Sequence, residues 1–400
     1  MQGLILPFVA MTSRERFLEV IQGRMPDRVP VTLFICDGGH FLNQLCPEID
    51  PWDHEALQLK VIEIQKQFGV DVFVRMLYGV NDPLFIHMGG LNVAIQTENW
   101  EVRTEEVRNG DTRIQRSEIR TPAGKLTQDF SIAEVRPGTY VFACTKKPVE
   151  CEADLDIAIR YEPRMPQGWR EQVAQRVARI RAALGDSGIL GTWTPHGPFN
   201  NASLLVDHDV LYSLFRVDYP FYEKLMNFAM ERILDYTDAI DAAGPDVHCV
   251  GGNVPGGFLG RANYDRYVLP FERRYIEFVQ RHGRPAMYHN CGQIMNLVES
   301  YKTLGARMVE PFSPVPLGDA DLARAKATVA GAYVMLSGID QVNVLQKGTV
   351  DDVRRTTRAA MDAGKPGGGF ILQPVDFLEY GTPVENVEAY VETAMECAAY

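Results

Sequence analysis

Eight short apolar runs, bounded by turn residues and mostly separated by stretches of helical spacing, constrain this chain more than any other feature. They cover 29–35, 70–76, 188–193, 247–253, 285–291, 306–312, 332–340 and 370–376. Val, Ile, Leu and Met fill them with little polar alternation, the pattern of parallel strands covered on both faces. Helical spacing recurs at 54–68, 166–184, 207–217, 219–243, 264–282, 293–304, 319–329, 350–363 and 383–399. This alternation predicts a parallel α/β sheet, and eight repeats predict its closure into a (β/α)8 TIM barrel. A chain of 400 residues, 46% hydrophobic, can bury the core of one such domain over 11–400. Only 91–145 breaks the rhythm. Its Thr, Val and Ile alternate with charges, and Asn109-Gly110-Asp111 and Thr121-Pro122-Ala123-Gly124 punctuate it. It reads as an antiparallel insertion after the second strand.

Composition removes several function classes. A net charge of −12 disfavours nucleic acid and other polyanions. Without eighteen consecutive apolar residues, no membrane span is expected. Residues 1–10 are apolar but short and lack a basic leader, so they read as an N-terminal extension rather than a signal peptide. Seven scattered cysteines, an odd number without paired spacing, argue for reduced thiols in a cytoplasmic protein.

In a barrel of this kind chemistry gathers where the strands end, at their C-terminal face. The polar residues there are Cys36 and Asp37, Arg75 and Tyr78, Trp193 and His196, His248 and Asn253, His289 and Cys291, Glu310, Asp340 and Asp376. His289 and Cys291 close the fifth run two residues apart, so strand alternation points both the same way. Both suit zinc. The same pair also fits a capped strand end with a buried thiol. Glu310 and Asp376 end two further runs and complete a candidate set of N, S, O and O, although either also fits a helix cap or an ion pair. Trp193 and His196 open an aromatic, kinked loop that suits a small apolar or aromatic ligand with one polar handle. Gly251-Gly252-Asn253 matches neither a dinucleotide fingerprint nor a P-loop, and close approach to a flat or bulky ligand is its expected use.

The runs 11–17 and 26–31, Tyr288-His289-Asn290-Cys291-Gly292, 318–322, 336–340, 345–349 and 381–387 together resemble the uroporphyrinogen decarboxylase-like superfamily. Within it the His-x-Cys resembles the corrinoid-dependent methyltransferases. The arginine-bearing N-terminal motif of the porphyrinogen decarboxylases is not recognisable around 37–40. The resemblance implies zinc-dependent methyl transfer with a corrinoid carried by a partner protein. Where the coenzyme M methyltransferases of that family carry a second Cys after the eighth strand, this chain has Asp376. Two thiolates suit activation of a thiol acceptor, whereas a harder His, Cys and carboxylate site suits polarisation of an ether oxygen. The chain therefore resembles the substrate-side methyltransferases of O-demethylase systems.

The resulting expectation is a barrel that moves a methyl group from a small methylated donor, foremost an aromatic methyl ether, to the Co(I) corrinoid (cobalamin type) of a separate protein. His289, Cys291, Glu310 and Asp376 are its metal candidates, with one position open to substrate. Trp193, Asn253 and Tyr288 are its substrate wall, and His196 or His248 serves the leaving oxygen. Association as a homodimer is expected from the family alone. The alternatives are transfer from methylcorrinoid to tetrahydrofolate or a thiol, a metal-independent decarboxylase-like lyase, and a non-catalytic binding barrel.

Overall fold

The structure, a computed structural model, describes residues 11–35, 40–78 and 90–400. The expected extension 1–10 and the strand-end pair Cys36 and Asp37 lie outside these residues. Seven parallel strands form one curled sheet: β1 (Val72–Met76), β6 (Gly188–Trp193), β7 (Val247–Gly251), β8 (Ala286–His289), β9 (Met308–Glu310), β10 (Val334–Ile339) and β11 (Phe370–Pro374). Their spatial order is their chain order, with helices between, as parallel crossovers require. Four antiparallel strands lie between β1 and β6 in the chain: β2 (Glu101–Asn109), β3 (Thr112–Thr121), β4 (Gly124–Arg136) and β5 (Thr139–Lys146). The β2–β3 turn is Gly110-Asp111, with Gly110 at a φ of 59°, which its lack of a Cβ permits.

Both edges of the parallel sheet reach the extended segment 29–35. Thr32 donates its N–H to the Leu372 carbonyl and Leu372 to that of Pro30, while on the other side Asp71 donates to Val31. The predicted first strand thus contributes a single bridge, Val31 to Leu372, rather than a full ladder. Pro30 has no N–H to give, and the Val31 N–H is taken at 2.9 Å by the Asp71 carboxylate.

Side chains alternate across each strand, and the inward set of Phe73, Ile189, Val247, Cys249, Met287, Met308, Val334, Leu336 and Ile371 packs into one cluster. Phe17, Val20 and Ile21 join it from the helix Ser13–Ile21, so this helix covers the inside of the curled sheet at the N-terminal ends of the strands. The helix is absent from the pattern reading, although its capping box is plain in the sequence: Thr12 accepts the Glu15 N–H and Glu15 accepts that of Thr12. The helix expected over 293–304 shrinks to Val298–Tyr301. Its start is unwound because Asp319 takes the N–H groups of Ile294 and Met295 at 2.8 and 3.1 Å.

Candidate functional site

Period-two alternation decides which of the expected residues meet. On β8, Met287 and His289 face inward, so Tyr288 between them faces out. Just beyond the strand the chain keeps Cys291 on the inner side. One ligand atom each from His289, Cys291 and Asp376 lies within 4.8 Å of the others. Asn290 faces away and pins this loop, its Oδ1 accepting from the Val254 N–H at 2.6 Å and its Nδ2 donating to the Tyr301 hydroxyl at 2.7 Å. That anchoring role was not foreseen; its signal was a polar residue between two inward donors.

Glu310 differs from the expectation of a fourth ligand. Its Oε1 meets His289 Nδ1 at 3.0 Å and Arg75 at 2.7 Å, and its Oε2 accepts from Gln373 at 2.8 Å. Arg75 also donates to Gln373 Oε1 at 2.6 Å and lies over the Phe34 and Phe73 rings at 3.8 and 4.5 Å. Glu310 is completely buried, which explains the outcome: a carboxylate drawn wholly out of water keeps the partners that neutralise it. It stands behind His289 and orients the ring through Nδ1, an arrangement common behind metal-bound imidazoles. Gln373, which completes this network, was missed, because an apolar strand interior gives no outward sign that one glutamine is structural.

The electrostatics follow from this crowding. Burial works against the His289 imidazolium, but the hydrogen bonds to Cys291 and Glu310 and the charges of Glu310 and Asp376 outweigh it and push His289 up to about 10. Burial alone would raise Glu310; the Arg75 charge and the His289 contact outweigh it and lower it. Asp376 is raised, first by burial and then by Glu310, against the pull of His289 and Arg75. A cage of this kind favours a cation. Zinc bonds of about 2.0–2.3 Å place tetrahedral ligand atoms on the order of 3.5 Å apart, so the N, S and O donors fit zinc after a small contraction. Thiolate and carboxylate together would balance its charge, because Arg75 already balances Glu310.

A cavity of about 230 Å³ opens beside the cage, walled by Phe34, Trp193 and Phe377, with Arg75, His196, Asn253, His289 and Asp376 as polar groups. Trp193 meets the His289 ring edge-on at 5.7 Å. His196 and Asn253 both sit at positive φ, 62° and 48°. Such backbone strain at two mouth residues is typical of positions fixed for a ligand. The His196 ring lies on Gly251, where a Cβ would meet its Nδ1 at 2.1 Å, and that nitrogen is buried without a partner. Burial, then the neighbouring His289, pulls His196 down to about 4, so it is neutral near pH 7. The close approach expected of Gly251-Gly252 is thus made by the protein's own rings: His196 over Gly251, and the Tyr288 hydroxyl over Gly252.

Two expected residues are elsewhere. His248 is the second residue of β7 and faces out between Cys249 and Val247; its Nε2 meets Asp241 Oδ1 at 2.9 Å, on the helix Tyr219–Ala243. Tyr288 is fully buried on the outer side, its ring 5.8 Å from Tyr301. Neither lines the cavity. The reason is parity: each differs by one residue from an inward neighbour.

Comparison with known proteins bears on the whole arrangement. The family model described as "Uroporphyrinogen decarboxylase (URO-D)" matches residues 111–397. A uroporphyrinogen decarboxylase of Anaeromyxobacter dehalogenans is 26% identical over 260 residues, covering 61% of this chain and 68% of that protein. A methylcobamide:CoM methyltransferase of Methanosarcina acetivorans is 22% identical over 175 residues, 42% of this chain and 48% of that protein, about half its length. Among solved structures, a methyltransferase from Methanosarcina mazei superposes with a TM-score of 0.67 at 18% identity, covering 96% of this chain and 99% of that one, which shows a shared fold.

Proposed function

The chain belongs to the uroporphyrinogen decarboxylase family, and within it we propose a methyltransferase that takes a methyl group from a small donor, an aromatic methyl ether, to the Co(I) corrinoid of a separate protein. The observation that carries this reading is the convergence of His289, Cys291 and Asp376, with His289 fixed from behind by Glu310. Held there, zinc supplies Lewis acidity toward an ether oxygen. Phe34, Trp193 and Phe377 hold the ring and exclude water from it. His196, neutral and kept against Gly251, donates a hydrogen bond at the oxygen that leaves as phenolate, and Asn253 supplies a second polar contact. Arg75 and Glu310 keep the His289 ring from turning.

The scaffold is read as a (β/α)8 barrel whose first strand is segment 29–35, one catalytic domain over 11–400 with 91–145 inserted. No helix among the described residues is long and apolar enough to cross a membrane. A cytoplasmic setting belongs to the same proposal. Its six described cysteines are unpaired. Transfer from methylcorrinoid to an acceptor uses the same cage and is the second reading, supported by the methylcobamide:CoM relative. Decarboxylation of a polycarboxylate is less well supported, because the one guanidinium among the described lining residues, Arg75, is held by Glu310 and Gln373.

Elemental analysis of dialysed protein tests the reading, followed by methylation of a corrinoid protein from a panel of methoxyarenes. About one zinc per chain, with turnover of at least one methoxyarene, supports it. A carefully handled wild type without metal overturns it and favours the lyase.

A further inference from the structure

We propose that Glu272, which does not line the cavity, is the positioning residue for His196 and holds its ring at the cavity through the segment 194–201. This rests on the reading that His196 serves the donor oxygen, and it names what sets that ring in place. Glu272 lies on the helix Leu269–Val279 and is completely buried, where a carboxyl group is stable only through specific partners. Both of its oxygens meet the segment that follows β6. Oε1 accepts the Phe199 N–H at 2.9 Å, one of the donors that the start of the helix Pro198–Leu205 leaves without an intrahelical partner. Oε2 lies against the Gly197 backbone, where a Cβ would meet it at 2.2 Å.

His196 directly precedes Gly197. Its φ of 62° is a left-handed backbone that a side-chain-bearing residue keeps only when its surroundings enforce it. Its Nδ1 is buried without a partner, so the backbone, and not a hydrogen bond at that nitrogen, aims the ring over Gly251. The backbone is fixed on both sides. His196 donates its N–H to the Thr194 carbonyl at 2.7 Å, Gly197 donates to Gly251 at 2.7 Å, and Asn201 Nδ2 donates to the carbonyls of Pro195 and Gly197. Glu272 completes this frame from a helix that contributes nothing to the cavity lining. Without its carboxyl group the Phe199 N–H loses its acceptor and space opens beside Gly197, so the strained turn can relax and carry the ring off Gly251. Burial pushes Glu272 up to about 8, against the Phe199 N–H and the Tyr288 hydroxyl, so the group is mostly neutral at pH 7 and a glutamine can replace it.

The experiment measures methyl transfer and zinc content in Glu272→Ala, Glu272→Gln, His196→Ala and the double variant Glu272→Ala/His196→Ala. The ring resonances of His196 are followed beside them in protein carrying isotope-labelled histidine, assigned by their loss in His196→Ala. Zinc content should match wild type throughout. Glu272→Ala should lose about tenfold to a hundredfold in kcat and shift the His196 ring signals. Glu272→Gln should recover most of both, and the double variant should be no slower than His196→Ala alone. Losses that multiply in the double variant, or His196 signals unmoved in Glu272→Ala, overturn the proposal, because a residue that only stabilises the fold acts independently of His196. Should Glu272→Ala fail to fold, Gly197→Ala, which drives a methyl group into the same carboxyl group, is expected to shift the same signals, and unmoved signals there overturn the proposal equally. If His196→Ala transfers methyl groups at the wild-type rate, or no methoxyarene is a donor, the reading of His196 at the donor oxygen fails, and the ring signals alone then decide whether Glu272 positions it.

Discussion

Two networks in this molecule, each a buried carboxylate holding imidazole and guanidinium groups, serve opposite ends. At the C-terminal ends of the strands, Glu310 holds His289 and Arg75; near the N-terminal ends, Asp241 holds His248, His282 and Arg284, at 2.9, 2.6 and 2.8 Å. His289 faces the inside of the curled sheet, beside Cys291, Asp376 and a cavity. His248 faces outward to a helix and does not line that cavity. Residue type alone therefore decides nothing here. Strand parity and the end of the strand decide which histidine is available for chemistry.

The largest expected effects break the comparison on the upper side. His289→Ala and Cys291→Ala should each lose the bound zinc and at least ~10³-fold in methyl transfer, on the order of 4 kcal/mol, while His248→Asn keeps its zinc. Elemental analysis of the three variants reads this directly, and zinc retained in Cys291→Ala would remove that thiol from the site. Glu310→Gln comes next. It keeps the shape but leaves Arg75 without its counter-charge, so a loss of roughly 3–5 kcal/mol in stability is expected, with zinc bound about 10–100-fold more weakly. Urea unfolding and metal competition measure the two separately.

The two histidines also predict opposite pH responses in metal-free protein. His289 is raised to about 10, against an unfolded value near ~6.5, so its contribution is fully present below ~6.5 and is lost as pH rises through about 10. His248 is lowered, burial outweighing the Asp241 contact, so its contribution is present above ~6.5 and is lost as pH falls through its folded value. Asp241 is lowered too, since its His248, His282 and Arg284 hydrogen bonds outweigh the burial that would raise it, and it loses its contribution in stronger acid. Stripped wild type should therefore weaken toward both ends of the range, by a few kcal/mol on the alkaline side at about 1.4 kcal/mol per unit. Zinc should abolish the alkaline loss, because a metal-bound imidazole has no proton to give up. His248→Asn, expected to cost about 2 kcal/mol at pH 7, should flatten the loss just below ~6.5 and leave the alkaline limb alone. An alkaline limb unchanged by zinc would separate His289 from the metal.

Much of this was legible before the structure, and the gaps have physical causes. Seven of the eight apolar runs appear as paired parallel strands, since a strand buried on both faces is uniformly apolar and needs no partner to be recognised. The run 29–35 is weaker because Pro30 and the Asp71 carboxylate remove ladder bonds, an effect of a residue forty positions away. His289, Cys291 and Asp376 were readable as a group because each ends a run. Glu310 was read as their equal because position along a strand says nothing about charge partners. Arg75 and Gln373 come from β1 and β11, far from it in the chain, and they turn a potential ligand into a support. His248 and Tyr288 were placed by proximity in sequence to inward residues, where a shift of one position reverses the face.

Tyr288→Phe carries the smallest expected effect and tests that parity most sharply. The ring is fully buried between Tyr301 and the Gly252 backbone, and only its hydroxyl is removed. An outward Tyr288 predicts a change of about 1 kcal/mol or less in stability, full zinc content, and methyl transfer within about twofold of wild type. A tenfold loss in transfer at unchanged stability would place its hydroxyl at the substrate and reverse the face assigned to it. Because Tyr288 and His289 are adjacent on one strand, that result would also turn His289 away from Cys291 and undo the upper network with it.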